Sequence, residues 1–246
     1  MKNFSRWYSP RLEQDVSVVR WGSYGQPVLV FPTAGGDAEE IERMRLIDAL
    51  GDLIGGGRIK VYSCDSVAGR AMVNEQGSPR HRTWLLNQFH QFVMHEVVSA
   101  IRADCQSDSI GIVATGSSIG AFNALAVLCR FPQVFTHAIC MSGTYDVTRF
   151  FDGEFNEELY FSSPLHFLPE LEGPHLDQLR ERFVVLASGE GAWEDIGQSW
   201  AAAQVLGSKG VPNRVDPWGT DYEHNWPTWR AMLPHYLDQL VGGAAT

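Results

Sequence analysis

The sequence predicts an α/β fold: a doubly wound, mainly parallel sheet with helices on both faces. Three observations carry this. Short apolar runs suited to fully buried strands recur at 28–31, 59–63, 110–114, 138–142 and 183–187. Between several of them lie stretches with three- and four-residue apolar spacing, the period of a helix with one buried face. Strands and helices alternate throughout, which favours parallel pairing through crossovers. The 246 residues suit one domain, 1–246, long enough for a sizeable core.

Taken in order, Trp7-Tyr8-Ser9-Pro10 and Val16-Ser17-Val18-Val19-Arg20-Trp21 predict two short leading strands, the second partly alternating. A turn then leads to the strand Val28-Leu29-Val30-Phe31 and the loop Pro32-Thr33-Ala34-Gly35-Gly36. Ile41, Met44, Ile47, Leu50 and Ile54 predict an amphipathic helix over 38–54, ended by Gly55-Gly56-Gly57. That run lacks a Gly-Lys-Ser/Thr sequel and is a turn rather than a phosphate loop. After the 59–63 strand, Ser78-Pro79 predicts an N-cap with proline at the first helical position. Leu85, Phe89, Val93, Val97 and Ile101 mark the buried face of the long helix that follows. His95-Glu96-Val97-Val98-Ser99 falls one histidine short of a zinc-protease motif, and no metal is expected.

The 110–114 strand runs into Gly116-Ser117-Ser118-Ile119-Gly120 and then an apolar stretch rich in helix formers. After the 138–142 strand, 143–182 changes character. It scatters Tyr145, Phe150, Phe151, Phe155, Tyr160, Phe161 and Phe167 among prolines and acids without a sustained period. Such an aromatic insertion borders a site or covers a core face, and both readings stay open here. A strand at 183–187, a helix at 198–208 and a short strand at 213–216 follow. Trp229, Met232, Leu233, Tyr236, Leu237 and Leu240 predict a closing helix, interrupted by Pro234.

Composition narrows the partners. A net charge of −10 argues against nucleic acid, whose phosphates need a basic stripe. No apolar run reaches membrane-spanning length, and the first residues lack the apolar centre of a secretory signal. Cys64, Cys105, Cys129 and Cys140 show no paired spacing, as expected of reduced thiols in a cytoplasmic protein.

The chemistry centres on the strand–turn–helix at 110–128. In that context G-x-S-x-G marks a nucleophile elbow, with Ser118 at a strained tip and Gly116 and Gly120 letting strand and helix approach. A serine hydroxyl needs a general base. His224 is the candidate, in a turn-rich loop after the last strand. His235 lies mid-helix, His137 precedes a strand, and His166 and His175 lie in the insertion. An oxyanion needs two preorganised donors. The backbone N–H of Ile119 is one and that of Ala34, in the glycine-bearing loop, the other. The Thr33 hydroxyl is expected to line the same space, and Ser117 is the other candidate substrate contact.

Together, Val28-Leu29-Val30-Phe31-Pro32-Thr33-Ala34-Gly35-Gly36, Gly116-Ser117-Ser118-Ile119-Gly120 and His224-Asn225-Trp226-Pro227-Thr228-Trp229 resemble the esterase branch of the α/β-hydrolase fold. That branch includes esterase D and the mycolyltransferases, and the likeness spans roughly 7–240. It implies Ser118 as nucleophile, His224 as base, Ile119 and Ala34 as oxyanion donors, and no cofactor. Two departures stand out: the oxyanion loop has no His-Gly-Gly-Gly, and Ala192 occupies the usual aspartate position. The triad acid must then come from Glu190, Glu194 or Asp195. Glu190 follows its strand too closely, and Asp195 is placed to cap the next helix. Glu194 is therefore favoured, and mycolyltransferase-like members also use a glutamate in this loop. The implied activity is hydrolysis of a small or medium carboxylic ester through an acyl-enzyme. Acyl transfer by the same triad and a non-catalytic binding protein are the alternatives.

Overall fold

The computed structural model describes residues 1–242; residues 243–246, the end of the predicted domain, lie outside them. β1 (Lys2–Ser9) and β2 (Gln14–Trp21) pair antiparallel, with Trp7 opposite Val16. β3 (Gln26–Phe31), β4 (Ile59–Cys64), β5 (Ile112–Ser117), β6 (Phe135–Met141), β7 (Phe183–Ser188) and β8 (Asn213–Pro217) complete the sheet. Its order is β1-β2-β4-β3-β5-β6-β7-β8. β2 meets β4 antiparallel, and all pairings from β4 across to β8 are parallel. This is the mainly parallel α/β-hydrolase sheet that the sequence predicts.

Successive side chains of a strand point to opposite faces, so each central strand feeds two apolar layers. Leu29, Phe31, Ala114, Cys140 and Leu186 join Phe89, Phe122 and Leu125 on one side. Val28, Val30, Val113, Ile139 and Val185 join Ile41, Leu50, Trp229 and Leu233 on the other. Burial on both faces is why these strands are continuous apolar runs rather than alternating ones.

Three helical stretches differ from expectation or refine it. The predicted helix over 38–54 is three short ones, Glu40–Arg43, Leu46–Ala49 and Gly51–Gly55. Arg45 takes a left-handed φ of 63° between the first two. The break turns Met44 outward, 39% exposed, and Leu46 inward, 1% exposed. A helix at Val67–Val73 stands where the sequence shows no periodic run. The long helix starts as expected, with the Ser78 hydroxyl accepting from the His81 N–H, and runs Pro79–Phe92, a π-turn Val93–Val97, and Val98–Cys105.

The insertion folds into short helices, among them Thr148–Phe151, Glu157–Ser162, Pro164–Phe167 and Gly173–Leu179. Tyr145, Phe151 and Phe167 are buried in the first apolar layer. Phe155 and Phe161 are exposed. Most of its aromatic area therefore covers a core face. The chain closes with the helix Trp226–Gly242, which carries Pro234. Among the described residues no helix is long and apolar enough to cross a membrane.

Candidate active site

β5 ends at Ser117 and the helix Ile119–Arg130 starts two residues on, so Ser118 alone makes the turn. Its backbone sits at φ 58° and ψ −122°, a sparsely populated region that costs about 1–3 kcal/mol. Two glycines make the turn possible. A Cβ on Gly116 would lie 2.5 Å from the Gly120 backbone, and one on Gly120 would lie 2.4 Å from the Phe31 carbonyl oxygen. The Ser118 N–H donates to the Met141 carbonyl at 3.0 Å, tying the tip to the end of β6. The Ile119 N–H opens the helix, where amides have no partner one turn back. Ser117 is only 4% exposed at the end of β5. It offers a substrate almost no surface, contrary to its expected contact.

The loop after β3 runs beside this turn, since Phe31 pairs with Gly116. Thr33 departs from expectation. Its N–H and hydroxyl both reach the Glu40 carboxylate, at 2.8 and 2.6 Å. A carboxylate oxygen accepts, so the Thr33 hydroxyl proton is committed to Glu40. Ala34 is held by the helix Val67–Val73. A Cβ on Gly69 would lie 2.8 Å from the Ala34 oxygen. The Arg70 guanidinium and the Ser66 N–H donate to the Gly36 carbonyl at 3.1 and 3.3 Å.

The loops after β7 and β8 are laced together by backbone. The N–H groups of Glu190, Gly191 and His224 donate to the carbonyls of Gly219, Tyr222 and Ala192, each at 3.0 Å. Gly189 is required: a Cβ there would lie 2.0 Å from the Tyr222 oxygen. This lacing brings Glu194 Oε2 within 3.7 Å of His224 Nδ1, with the Glu194 side chain 1% and the His224 side chain 24% exposed. The carboxylate is further held by two hydroxyls, Ser142 on Oε1 at 2.5 Å and Ser188 on Oε2 at 3.1 Å. Trp229 stands edge-on to the His224 ring, centroids 5.2 Å apart at 86°. Its indole N–H donates to Ser142 Oγ at 2.9 Å. Glu190 is exposed. Asp195 caps the helix Ile196–Ser208, accepting from the Gly197 N–H at 3.1 Å.

A cleft of about 210 Å³ opens on His224 and is lined by Thr144, Asp146, Arg149, Trp193 and Gln198 as well. The start of the insertion thus borders the cleft through polar side chains, while Tyr145, Phe151 and Phe167 pack inward. The other histidines are engaged elsewhere. His175 contacts the Cys129 carbonyl at 2.8 Å, His166 contacts Ser163, and His235 is exposed on the last helix. His137 belongs to β6, and burial followed by the charge of Arg182 lowers its pKa. Glu96, of the near-miss zinc motif, accepts from Trp7, Ser9 and Arg11 and anchors the first hairpin. Among the described residues no cluster of three or more histidine, cysteine or acidic side chains could hold a metal.

Sequence reasoning missed Ser142, Ser188 and the clamp on Ala34. The two serines carry one faint signal, a hydroxyl closing an otherwise apolar strand. Both lie at the same sheet edge as Ser118.

Comparison with known proteins agrees with this fold. The model of the family described as "Putative esterase" matches residues 53–240. A ferulic acid esterase structure superposes with a TM-score of 0.75 at 14% identity, covering 98% of each chain. An S-formylglutathione hydrolase from Agrobacterium tumefaciens gives 0.75 at 11% identity, covering 98% of this chain and 95% of that one. MPT51 from Mycobacterium tuberculosis gives 0.70 at 18% identity, covering 98% of each. No curated protein matches the chain.

Proposed function

Because the chain belongs to the Esterase family and is a serine esterase, we propose that it cleaves its ester through an acyl-enzyme on Ser118, with His224 as base and Glu194 as the acid behind it. The observation that carries this reading is the strained elbow at Ser118, φ 58°, at the same sheet edge as a buried carboxylate facing an imidazole nitrogen. At 3.7 Å the Glu194–His224 pair sits just beyond hydrogen-bond distance, a gap that catalytic pairs commonly close when substrate binds.

In the acylation step His224 Nε2 takes the hydroxyl proton as Ser118 Oγ bonds to the ester carbonyl carbon. The carbonyl oxygen becomes an oxyanion facing the Ile119 and Ala34 N–H groups. Loss of one such donor typically costs about 3 kcal/mol. The intermediate then expels the alcohol, which leaves with the proton from His224. Water then attacks the acyl carbonyl carbon as His224 takes its proton, and the intermediate collapses by breaking the bond to Ser118 Oγ, which receives that proton from His224 as the acid leaves. Glu194 fixes the imidazole tautomer and stabilises the imidazolium. The cleft of about 210 Å³ suits a small or medium substituent, which supports a low-molecular-weight ester as substrate. The four free cysteines, three of them buried, support a reducing, cytoplasmic setting.

Replacing Ser118 by alanine removes one oxygen at a half-buried tip. Ser118→Ala is expected to abolish turnover of aryl esters and labelling by a fluorophosphonate while leaving the circular dichroism unchanged. Persistent labelling of that variant would show a different nucleophile.

A further inference from the structure

The Glu194 side chain is nearly inaccessible to solvent, so whatever keeps it aimed must come from the protein. The Ser142 hydroxyl is the shorter of its two hydroxyl contacts, 2.5 Å against 3.1 Å for Ser188. The direction of the Ser142 proton is settled by its other partner. An indole N–H can only donate, so at 2.9 Å from Trp229 Nε1 the Ser142 oxygen accepts from the ring. Its single proton is thereby free to point at Glu194. The same indole stands edge-on to His224. Trp229 therefore touches the imidazole directly and the carboxylate through one hydroxyl.

The Ser142 backbone adds an independent observation. It takes a left-handed φ of 48°, where glycine rests without strain and serine does not. Its N–H is fixed to the Ala187 carbonyl at 2.8 Å, locking it between the ends of β6 and β7. A side chain kept in a strained conformation, buried, with its hydroxyl on the acid, marks a functional constraint more than a packing one.

We propose that Ser142, oriented by Trp229, is a positioning residue that holds the Glu194 carboxylate toward His224 Nδ1 during ester cleavage. The inference rests on Glu194 being the triad acid. Hydrogen bonds to a charged group are about twice as strong as neutral ones. Without the Ser142 bond Glu194 retains only the weaker Ser188 contact and is free to turn from the imidazole. The defect belongs to the transition state, in which the imidazolium forms, and leaves substrate binding intact.

Two variants separate the hydroxyl from the backbone. Ser142→Ala removes the hydroxyl and keeps the strain; Ser142→Gly removes both. Both are expected to lose kcat by roughly 10- to 100-fold with KM within about twofold, while Ser142→Gly is at least as heat-stable as the wild type. Trp229→Phe keeps a ring against His224 and frees the Ser142 proton, so its kcat is expected to fall between wild type and Ser142→Ala. Wild-type kcat in Ser142→Gly would overturn the inference, as would a loss confined to KM. Glu194→Gln, assayed in parallel, tells the two failures apart. If it remains active, the acid assignment falls and this inference with it. If it is inactive while Ser142→Gly turns over normally, only the role of Ser142 falls.

Discussion

At the scale of single residues, Glu194 and Asp195 are neighbours with opposite surroundings. The Glu194 side chain is 1% exposed and faces His224, whereas the exposed Asp195 caps a helix. Glu194→Gln keeps the shape, yet an amide can present its NH₂ to Nδ1 and favour the wrong tautomer. It is expected to lower kcat by about 10⁴-fold, the size seen for an acid-to-amide change in a serine triad, with the melting temperature nearly unchanged. Asp195→Asn is expected to do the reverse, leaving kcat intact and costing at most about 1 kcal/mol of stability, since asparagine also caps well. Steady-state kinetics and thermal denaturation of the two variants check this; an exchange of phenotypes would exchange the roles.

Among the elements, the insertion separates burial from exposure most sharply. Phe151 is fully buried and Phe155 is 54% exposed. Phe151→Ala is expected to cost about 3–5 kcal/mol, and Phe155→Ala less than about 0.5 kcal/mol. Neither is expected to alter the preference for acyl chain length, which an aryl ester panel would report. The sequence left this open because aromatics without a period give area but no direction. Strands were legible for the opposite reason: burial on both faces demands unbroken apolar runs such as Val28-Leu29-Val30-Phe31. The stretch 38–54 shows where legibility ends. Its apolar spacing survives approximately in the buried face, but a left-handed turn at Arg45 leaves no mark when the residue is not glycine. The helix Val67–Val73, which braces Ala34, is short and mostly buried, so it lacks the polar face that periodicity requires.

Across the whole molecule, the long helix, the elbow helix and the insertion meet at a buried polar group. His90 is fully buried, with Nε2 3.1 Å from Asn123 Oδ1 and Nδ1 3.0 Å from the Arg130 guanidinium. Arg130 also reaches Asn87 at 2.7 Å and Ser162 at 3.3 Å. A guanidinium only donates, so His90 Nδ1 accepts and Nε2–H donates, which fixes a neutral ring. Burial, with Arg130 adding to it, pushes its pKa down from 6.5 to about 3. The unfolded chain binds a proton here that the folded chain refuses. The full stability is therefore present above pH 6.5 and is lost as pH falls from there toward about 3. One such group contributes up to about 1.4 kcal/mol per pH unit in that window. Urea unfolding at stepped pH is expected to show this slope in the wild type and a shallower one in His90→Asn. Equal slopes would assign the acid sensitivity elsewhere. Nothing in a helical period separates a buried histidine with partners from a solvated one.

The laced loops carry a consequence for inheritance. Acid and base sit on separate segments of chain, but three shared backbone bonds and a glycine pressed against Tyr222 make them one rigid piece. A drift in either loop is transmitted to the other, and one added methyl at Gly189 would separate the pair without altering any reacting atom. The residues that keep such a site alive through sequence change therefore include positions with no chemistry of their own, whose whole contribution is to be small.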